Sequence, residues 1–188
     1  TRPLEDCSEL IIRFKKLGHI VSHMPLLKIE KKNYDDSFLN NSRGIIFTSA
    51  NAIKFLDIKN IDKNIKCFCV GLQTEKKAKS IGFQNIICAE GNVRNLKELI
   101  MQNFETHEGN LVYVSGEIIS MDLDLQLINE GYSIKRVVNY QTKHNNNFQE
   151  KFVNELKKNI PDIVFIYSQN SALSFLKFIK FNHSETQW

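Results

Sequence analysis

Short apolar segments alternate with amphipathic segments along most of the chain, and this feature constrains the fold more than any other. The predicted strands cover residues 19–24, 45–48, 67–70, 85–88, 111–114, 134–141 and 162–167. Strands that alternate with helices form parallel sheets, because each crossover needs a helix, which then covers a face of the sheet. Ligands of such sheets bind at the carboxyl ends of the strands. The sequence therefore predicts an α/β fold with a site at that edge.

Two polar segments without a clear period, residues 25–41 and 142–147, interrupt the alternation. We interpret both as crossings between two lobes. One lobe then holds residues 31–142, and the other, discontinuous lobe combines residues 1–30 with residues 143–188. The predicted architecture is two flavodoxin-like parallel-sheet lobes that are joined by a two-stranded hinge and have a cleft between them.

The composition excludes several classes of protein. The chain is 42% hydrophobic and 24% charged, as is ordinary for a folded protein. No apolar run approaches the roughly 20 residues that cross a bilayer, and no basic–apolar–small signal peptide begins the chain. The net charge of +4 permits an acidic ligand, but the basic residues form no stripe with interleaved aromatics, as a nucleic-acid surface would. We therefore expect a cytoplasmic monomer that binds neither membrane nor nucleic acid.

The spacing of the four cysteines and five histidines matches no metal or redox site. Cys67 and Cys69 alternate within an apolar strand and are predicted to face one core. The sequence has no glycine-rich dinucleotide turn, no P-loop and no Gly-x-Ser-x-Gly nucleophile elbow. It therefore predicts neither a metal nor a cofactor.

Two stretches of the chain, residues 45–56 and 164–176, echo each other. Each predicts an apolar strand, a turn with hydroxyl and Asn side chains, and an amphipathic helix. Such a turn directs backbone N–H groups at whatever lies above the strand end, which favours anions. A single unit of this kind is common, because Ser and Asn are frequent helix N-caps. The repetition favours an anion-binding edge in each lobe.

The turns after the predicted strands supply the candidate site residues. The candidates for binding substrate are Arg2, Thr48, Ser49, Asn51, Gly71, Thr74, Ser115, Gly116, Ser168 and Asn170. Tyr140 lies at the end of a further predicted strand, where a phenol would stand at the mouth of the cleft. A half-buried strand aromatic and a functional phenol are both compatible with that position.

The order and spacing of these motifs resemble those of the uroporphyrinogen-III synthase family over nearly the whole chain. The motifs that carry the resemblance include Thr1-Arg2-Pro3, Phe47-Thr48-Ser49-Ala50-Asn51-Ala52, Val70-Gly71-Leu72-Gln73-Thr74, Tyr113-Val114-Ser115-Gly116 and Val137-Val138-Asn139-Tyr140-Gln141-Thr142. The chain departs from the family pattern at both ends. Members usually begin with an apolar strand before Thr-Arg-Pro, and they continue past the position of Trp188 through a Gly-x-x-Thr turn and a helix. We therefore expect the discontinuous lobe to be truncated at both ends.

The resemblance implies a lyase of porphyrin and heme biosynthesis. The enzyme cyclises the linear tetrapyrrole hydroxymethylbilane to uroporphyrinogen III, with loss of water and inversion of the last pyrrole ring, and it uses no cofactor or metal. The substrate carries eight carboxylates, which suit N–H groups at strand-end turns. Tyr140 is the candidate for donating a proton to the departing hydroxyl, and since a phenol is a weak acid we expect help rather than strict necessity.

Two other interpretations stay open. A non-catalytic two-lobed small-molecule binding protein, similar to a periplasmic solute receptor, would have the same lobes and double crossing. A phosphosugar or nucleotide enzyme of flavodoxin-like build would need a glycine-rich phosphate turn, which the sequence lacks. An assay for porphyrinogen formation separates the synthase from both.

Overall fold

The computed structural model describes residues 4–59, 61–145 and 150–182. The elements in chain order are α1 (Leu4–Lys16), β1 (Leu27–Lys31), β2 (Gly44–Phe47), α2 (Ala50–Lys54), β3 (Lys66–Val70), α3 (Leu72–Ser80), β4 (Ile86–Ala89), α4 (Val93–Asn103), β5 (Leu111–Gly116), α5 (Leu123–Asn129), β6 (Ile134–His144), α6 (Glu150–Lys158) and α7 (Gln169–Asn182). Among the residues described, no helix has the length and apolar character that a membrane span needs.

The strands form a six-stranded sheet in the order β1-β6-β5-β2-β3-β4. The four pairings from β6 to β4 are all parallel. Between β1 and β6, the Lys32 amide donates to the Asn139 carbonyl and the Asn145 amide donates to the Leu26 carbonyl. Partner numbers that rise on one strand and fall on the other mean that this edge pair is antiparallel. The predicted α/β class is therefore confirmed.

The central strands β2 and β5 are buried along their whole length, because helices cover both faces of the sheet. Alternate residues of each strand face opposite sides. Ile45 and Phe47 pack with Ala52 and Ile53 of α2 on one face. On the other face, Ile46 and Tyr113 belong to the cluster that also contains Leu96 and Ile100 of α4 and Leu123 and Leu127 of α5.

The chain divides into two compact units. The central unit is Ile29–Gln141, and it holds β2 to β5 with the helices between them. The terminal unit consists of Thr1–Lys28 and Thr142–Trp188. Both β1 and β6 begin in one unit and end in the other.

Two predicted strands are absent from the structure, and a third is longer than expected. Residues 19–24 and 162–167 lie in no strand. The second segment is apolar, yet it is not buried, since Ile163 is 72% exposed. A strand forms only where a neighbour pairs with its backbone, and the described residues offer neither segment such a neighbour. Residues 142–144 were predicted as part of a crossing, but β6 continues to His144 because its pairing with β1 extends to Leu26.

Cys67 and Cys69 both face the core cluster on the α2 side, as predicted, and neither is exposed. Burial raises the pKa of the Cys67 thiol to about 12, and the neighbouring Cys88 adds a smaller upward contribution. The pKa of Cys69 is also raised, chiefly by burial. Both thiols are therefore held in the neutral form at the core of the sheet.

The raised pKa of Cys67 predicts that stability falls in alkali. In the unfolded chain this thiol ionises near its ordinary value of about 8.5. Above that pH the unfolded state binds fewer protons than the folded state, so the free energy of unfolding falls until the folded pKa of about 12 is reached. Between about pH 8 and pH 10 we expect Cys67 alone to account for a loss on the order of 1 to 2 kcal/mol.

Urea unfolding of the parent and of Cys67→Ala at both pH values tests this expectation. The variant should be less stable at both, because the truncation leaves a cavity. Its stability should nevertheless change less between the two pH values than that of the parent. An equal change in both proteins would contradict the prediction.

Candidate active site

The carboxyl ends of β5, β2 and β3 lie next to one another at one edge of the sheet of the central unit, and Tyr140 of β6 pairs with the last residue of β5 at the same edge, which we call the carboxyl edge. Most of the predicted site residues lie in this region: Thr48, Ser49, Asn51, Gly71, Thr74, Ser115, Gly116 and Tyr140. Adjacent strands are about 4.8 Å apart, so consecutive strand ends can contact one ligand. Ser168 and Asn170 lie in the terminal unit. Arg2 lies outside the described residues.

The turn between β2 and α2 contains Thr48, Ser49 and Asn51. The Thr48 hydroxyl lies 3.0 Å from the hydroxyl of Tyr113 on the neighbouring strand β5. Ser49 is the N-cap of α2, and its Oγ accepts a hydrogen bond from the Asn51 amide at 3.2 Å. Since α2 has only five residues, its dipole is small, and any anion binding at this turn depends on individual N–H groups.

Gly71 forms the turn between β3 and α3 with a φ of +81°, a conformation that favours glycine. Its amide donates to the Ala89 carbonyl at 3.0 Å, which ties the turn to β4. Because glycine has no side chain, the first N–H groups of α3 receive no side-chain cap from this position. Thr74, in that first turn, is only 5% exposed, so its side chain packs inside the protein.

Ser115 and Gly116 end β5, and the Ser115 hydroxyl is already engaged within the protein. It accepts a hydrogen bond from Arg136 Nε at 2.8 Å and donates to the Gly116 carbonyl at 3.1 Å. Ser115 is also only 1% exposed. Its structural contacts therefore hold the end of the strand, and the backbone is the part of this turn that can meet a ligand.

A β-bulge in β6 lies opposite the end of β5. Ser115 is opposite Val138, but Gly116 is opposite Tyr140, so Asn139 is the extra residue. Asn139 is fully buried, and its Nδ2 donates to the Ala52 carbonyl of α2 at 2.7 Å. No hydrogen-bond partner for its Oδ1 exists among the described residues. The bulge is thus anchored to the helix that follows β2.

Tyr140 lies with its ring directly over Gly116. A Cβ atom on Gly116 would be 2.6 Å from Tyr140 Cζ and 2.9 Å from its hydroxyl, so only glycine leaves room for the ring. The ring also faces Phe55 at a centroid distance of 6.4 Å. The Tyr140 carbonyl accepts from the Glu117 amide at 3.0 Å. Tyr140 is partly exposed, and its ring occupies the space that a side chain at position 116 would need.

Tyr113 is a second phenol near this edge, and we did not predict it as a site residue. Burial raises its pKa, while its hydrogen bond with Thr48 and the positive charge of Arg136 act in the opposite direction. It is 1% exposed, and its hydroxyl meets Thr48. Tyr113 therefore supports the turn after β2 from inside the protein. In the sequence, only its position two residues before Ser115, on the same face of β5, could have indicated that it lies near the site.

A family model described as uroporphyrinogen-III synthase HemD matches residues 8–187, nearly the whole chain. The chain belongs to the uroporphyrinogen-III synthase family. Among solved structures, this synthase is similar to a uroporphyrinogen-III synthetase from Helicobacter pylori 26695, with a TM-score of 0.57 and 21% identity over 86% of this chain and 75% of that chain. At this identity the likeness concerns the fold. No curated protein matches the chain.

The family match confirms the uroporphyrinogen-III synthase function that the sequence resemblance implied, and with it an enzyme of the lyase class in heme biosynthesis. Nothing in the comparisons favours the non-catalytic binding protein. Within the described parts of the synthase, no group of three or more His, Cys, Asp or Glu side chains could hold a metal ion.

The second echoed turn of the synthase caps α7. The Ser168 hydroxyl accepts from the Ser171 amide at 3.1 Å and lies 2.9 Å from the Ser171 hydroxyl. The Asn170 carbonyl accepts from the Ser174 hydroxyl at 2.8 Å. The Ser49 hydroxyl accepts from the amide two residues later, whereas the Ser168 hydroxyl accepts from the amide three residues later. Both serines therefore cap helices, but with different turn geometry.

Proposed function

We propose that this synthase closes hydroxymethylbilane to uroporphyrinogen III at the carboxyl edge of the central unit, with Tyr140 as the proton donor. The observation that carries the proposal is the phenol of Tyr140, held over Gly116 beside the Thr48–Ser49 turn. The Tyr140 hydroxyl is the only acidic side-chain group among our predicted site residues in this unit. Tyr140 as a residue is partly exposed.

The reaction needs positioning more than it needs covalent catalysis. The pyrrole nitrogen of the first ring pushes out the hydroxyl as water, which leaves an electrophilic methylene carbon. Without guidance that carbon is attacked by the free position of the last ring, which gives the uninverted isomer I. The enzyme must instead fold the chain so that the substituted carbon of that ring attacks. The older methylene bond at that carbon then breaks and re-forms at the free position, which loses its proton, and the ring is thereby inverted. Holding reacting atoms in place is worth several orders of magnitude in rate.

The strand-end turns suit a substrate that carries carboxylates on every ring. Short turns expose several backbone N–H groups along one edge, and N–H groups at such turns bind anions. Gly71 leaves the start of α3 without a side-chain cap, so a carboxylate can fill that place. We propose that Ser168 and Asn170 provide a second turn of this kind in the terminal unit, and that Arg2 adds a positive charge.

We also propose that the synthase acts as a monomer in the cytoplasm and binds no nucleic acid. Cys7, Cys67, Cys69 and Cys88 all lie in the described residues and form no disulfide there, as is usual in a reducing compartment. The net charge of +4 is modest for a nucleic-acid surface.

Analysis of the isomers formed from hydroxymethylbilane tests the proposed function. With the synthase present, uroporphyrinogen III should be the main product, and without it the chain should close to isomer I. Counting the two isomers separately is essential, because total porphyrinogen also rises by spontaneous closure. Formation of isomer I alone at every enzyme concentration would contradict the proposal.

A further inference from the structure

Arg136 connects β6 to the end of β5, where part of the candidate site lies. It lies on β6, opposite Tyr113 of β5 and four residues before Tyr140. Its guanidinium reaches along the end of β5 and donates three hydrogen bonds to successive residues. Nε donates to Ser115 Oγ at 2.8 Å, and Nη2 donates to the Gly116 carbonyl at 2.8 Å and to the Glu117 carbonyl at 3.0 Å.

Residues 115–117 are also held by the pairing of Ser115 and Gly116 with β6 and by two contacts of Glu117. The Glu117 amide donates to the Tyr140 carbonyl, and the Glu117 carboxylate pairs with Lys32 at 2.6 Å, with that carboxylate side chain 52% exposed. An exposed ion pair of this kind is weak. In the described part of the chain, Arg136 is within ion-pair distance of no carboxylate. Its charge is therefore directed at backbone carbonyls and one hydroxyl.

We propose that Arg136 is a positioning residue, which holds residues 115–117 so that Gly116 sets the place of the Tyr140 phenol. The inference rests on the proposed function of the carboxyl edge. Because the Tyr140 ring fills the space in which a Cβ of residue 116 would lie, a shift of that backbone would change the space open to the ring. A guanidinium is a planar fork that can donate in several directions at once, whereas a lysine ammonium of the same charge cannot reproduce this pattern.

Kinetic comparison of Arg136→Met and Arg136→Lys tests the proposal. Both should lower kcat for uroporphyrinogen III by about 10- to 100-fold, because a misplacement of about 1 Å at a reacting group can cost a hundredfold. KM should rise by less than kcat falls, since the candidate binding turns at β2 and β3 are untouched and only the turn after β5 is disturbed. Lys135→Met is the matched control: it removes the same charge one residue away, where the ammonium lies 5.0 Å from the Phe38 ring, and it should leave kcat within about twofold.

A double-mutant cycle with Tyr140→Phe separates positioning from a general loss of structure. If Arg136 acts through the phenol, Arg136→Met should have little effect on kcat in the Tyr140→Phe background. Fully additive losses would overturn the proposal, as would a kcat of Arg136→Lys equal to that of the parent. Should Arg136→Met fail to fold, Arg136→Gln takes its place with the same expected outcomes.

Amide hydrogen exchange gives a second test that does not depend on catalysis. The Glu117 amide, which donates to Tyr140, should exchange faster in Arg136→Met and at the parental rate in Lys135→Met. Unchanged exchange in Arg136→Met would count against the inference. A parent protein that forms no uroporphyrinogen III would contradict the proposed function instead, and the exchange measurement would still decide the role of Arg136.

Discussion

Replacing Tyr140 by Phe should lower the turnover number for uroporphyrinogen III by about a hundredfold. Proton donation by a positioned side chain typically raises a rate by about 10²- to 10⁴-fold. The low end applies because hydroxymethylbilane loses its hydroxyl group readily without help. The ring still packs against Phe55 and Gly116, so the free energy of unfolding should change by less than about 1 kcal/mol. Initial rates of isomer III formation and a urea titration measure the two effects.

Tyr132→Phe is the matched control for that variant. It also removes a phenol hydroxyl, but the Tyr132 hydroxyl donates to the Phe104 carbonyl at the end of α4, away from the carboxyl edge. It should cost about 1 kcal/mol of stability, the usual value of a lost hydrogen bond, without an effect on turnover. If Tyr140→Phe stays within about threefold of the parent, or if it loses activity only because it unfolds, Tyr140 is a packing residue and not a proton donor.

Gly116→Ala should have an effect of similar size through the same phenol. The added Cβ would lie 2.6 Å from Tyr140 Cζ, so the partly exposed ring has to shift to relieve the overlap. We expect turnover to fall by about 10- to 100-fold, because the hydroxyl is displaced and not removed. KM should change by less than turnover, because the candidate binding turns after β2 and β3 are not altered.

The double variant shows whether Gly116→Ala acts through Tyr140. With the phenol hydroxyl already absent, adding Gly116→Ala to Tyr140→Phe should lower turnover by no more than about threefold further. Independent, multiplicative losses would show that the alanine disturbs the edge in some other way. Melting curves of all three variants show whether each is folded under the assay conditions, and only folded variants are compared.

Local sequence patterns predicted the parts of the fold that depend on neighbouring residues. Ser49 is the N-cap of its helix, and the strand that carries Tyr140 begins at Ile134 as expected. The predicted strands at 19–24 and 162–167 are wrong, because apolar alternation cannot show whether a pairing neighbour exists.

The candidate site was predictable only where its residues follow strands. Strand-end turns carry a recognisable composition, which is how Thr48, Gly71 and Gly116 were found. Arg136 was missed because its contacts are with residues 115–117, about twenty positions earlier in the chain. Such contacts depend on which strands lie next to each other and on their register, and a single sequence contains neither directly.

The bulge at Asn139 lets two consecutive side chains of β6 face the same helix, which a regular strand does not allow. In a regular strand only every second side chain faces a given helix. A single side chain at such a position cannot both anchor the backbone and contact a ligand. Here the extra residue lets consecutive side chains serve the same face: Asn139 bonds to Ala52 of α2, and Tyr140 packs beside Phe55 just beyond that helix. Ser115, at the end of the unbulged strand β5, has its hydroxyl occupied by anchoring. One inserted residue thus allows β6 to divide the two tasks between neighbours.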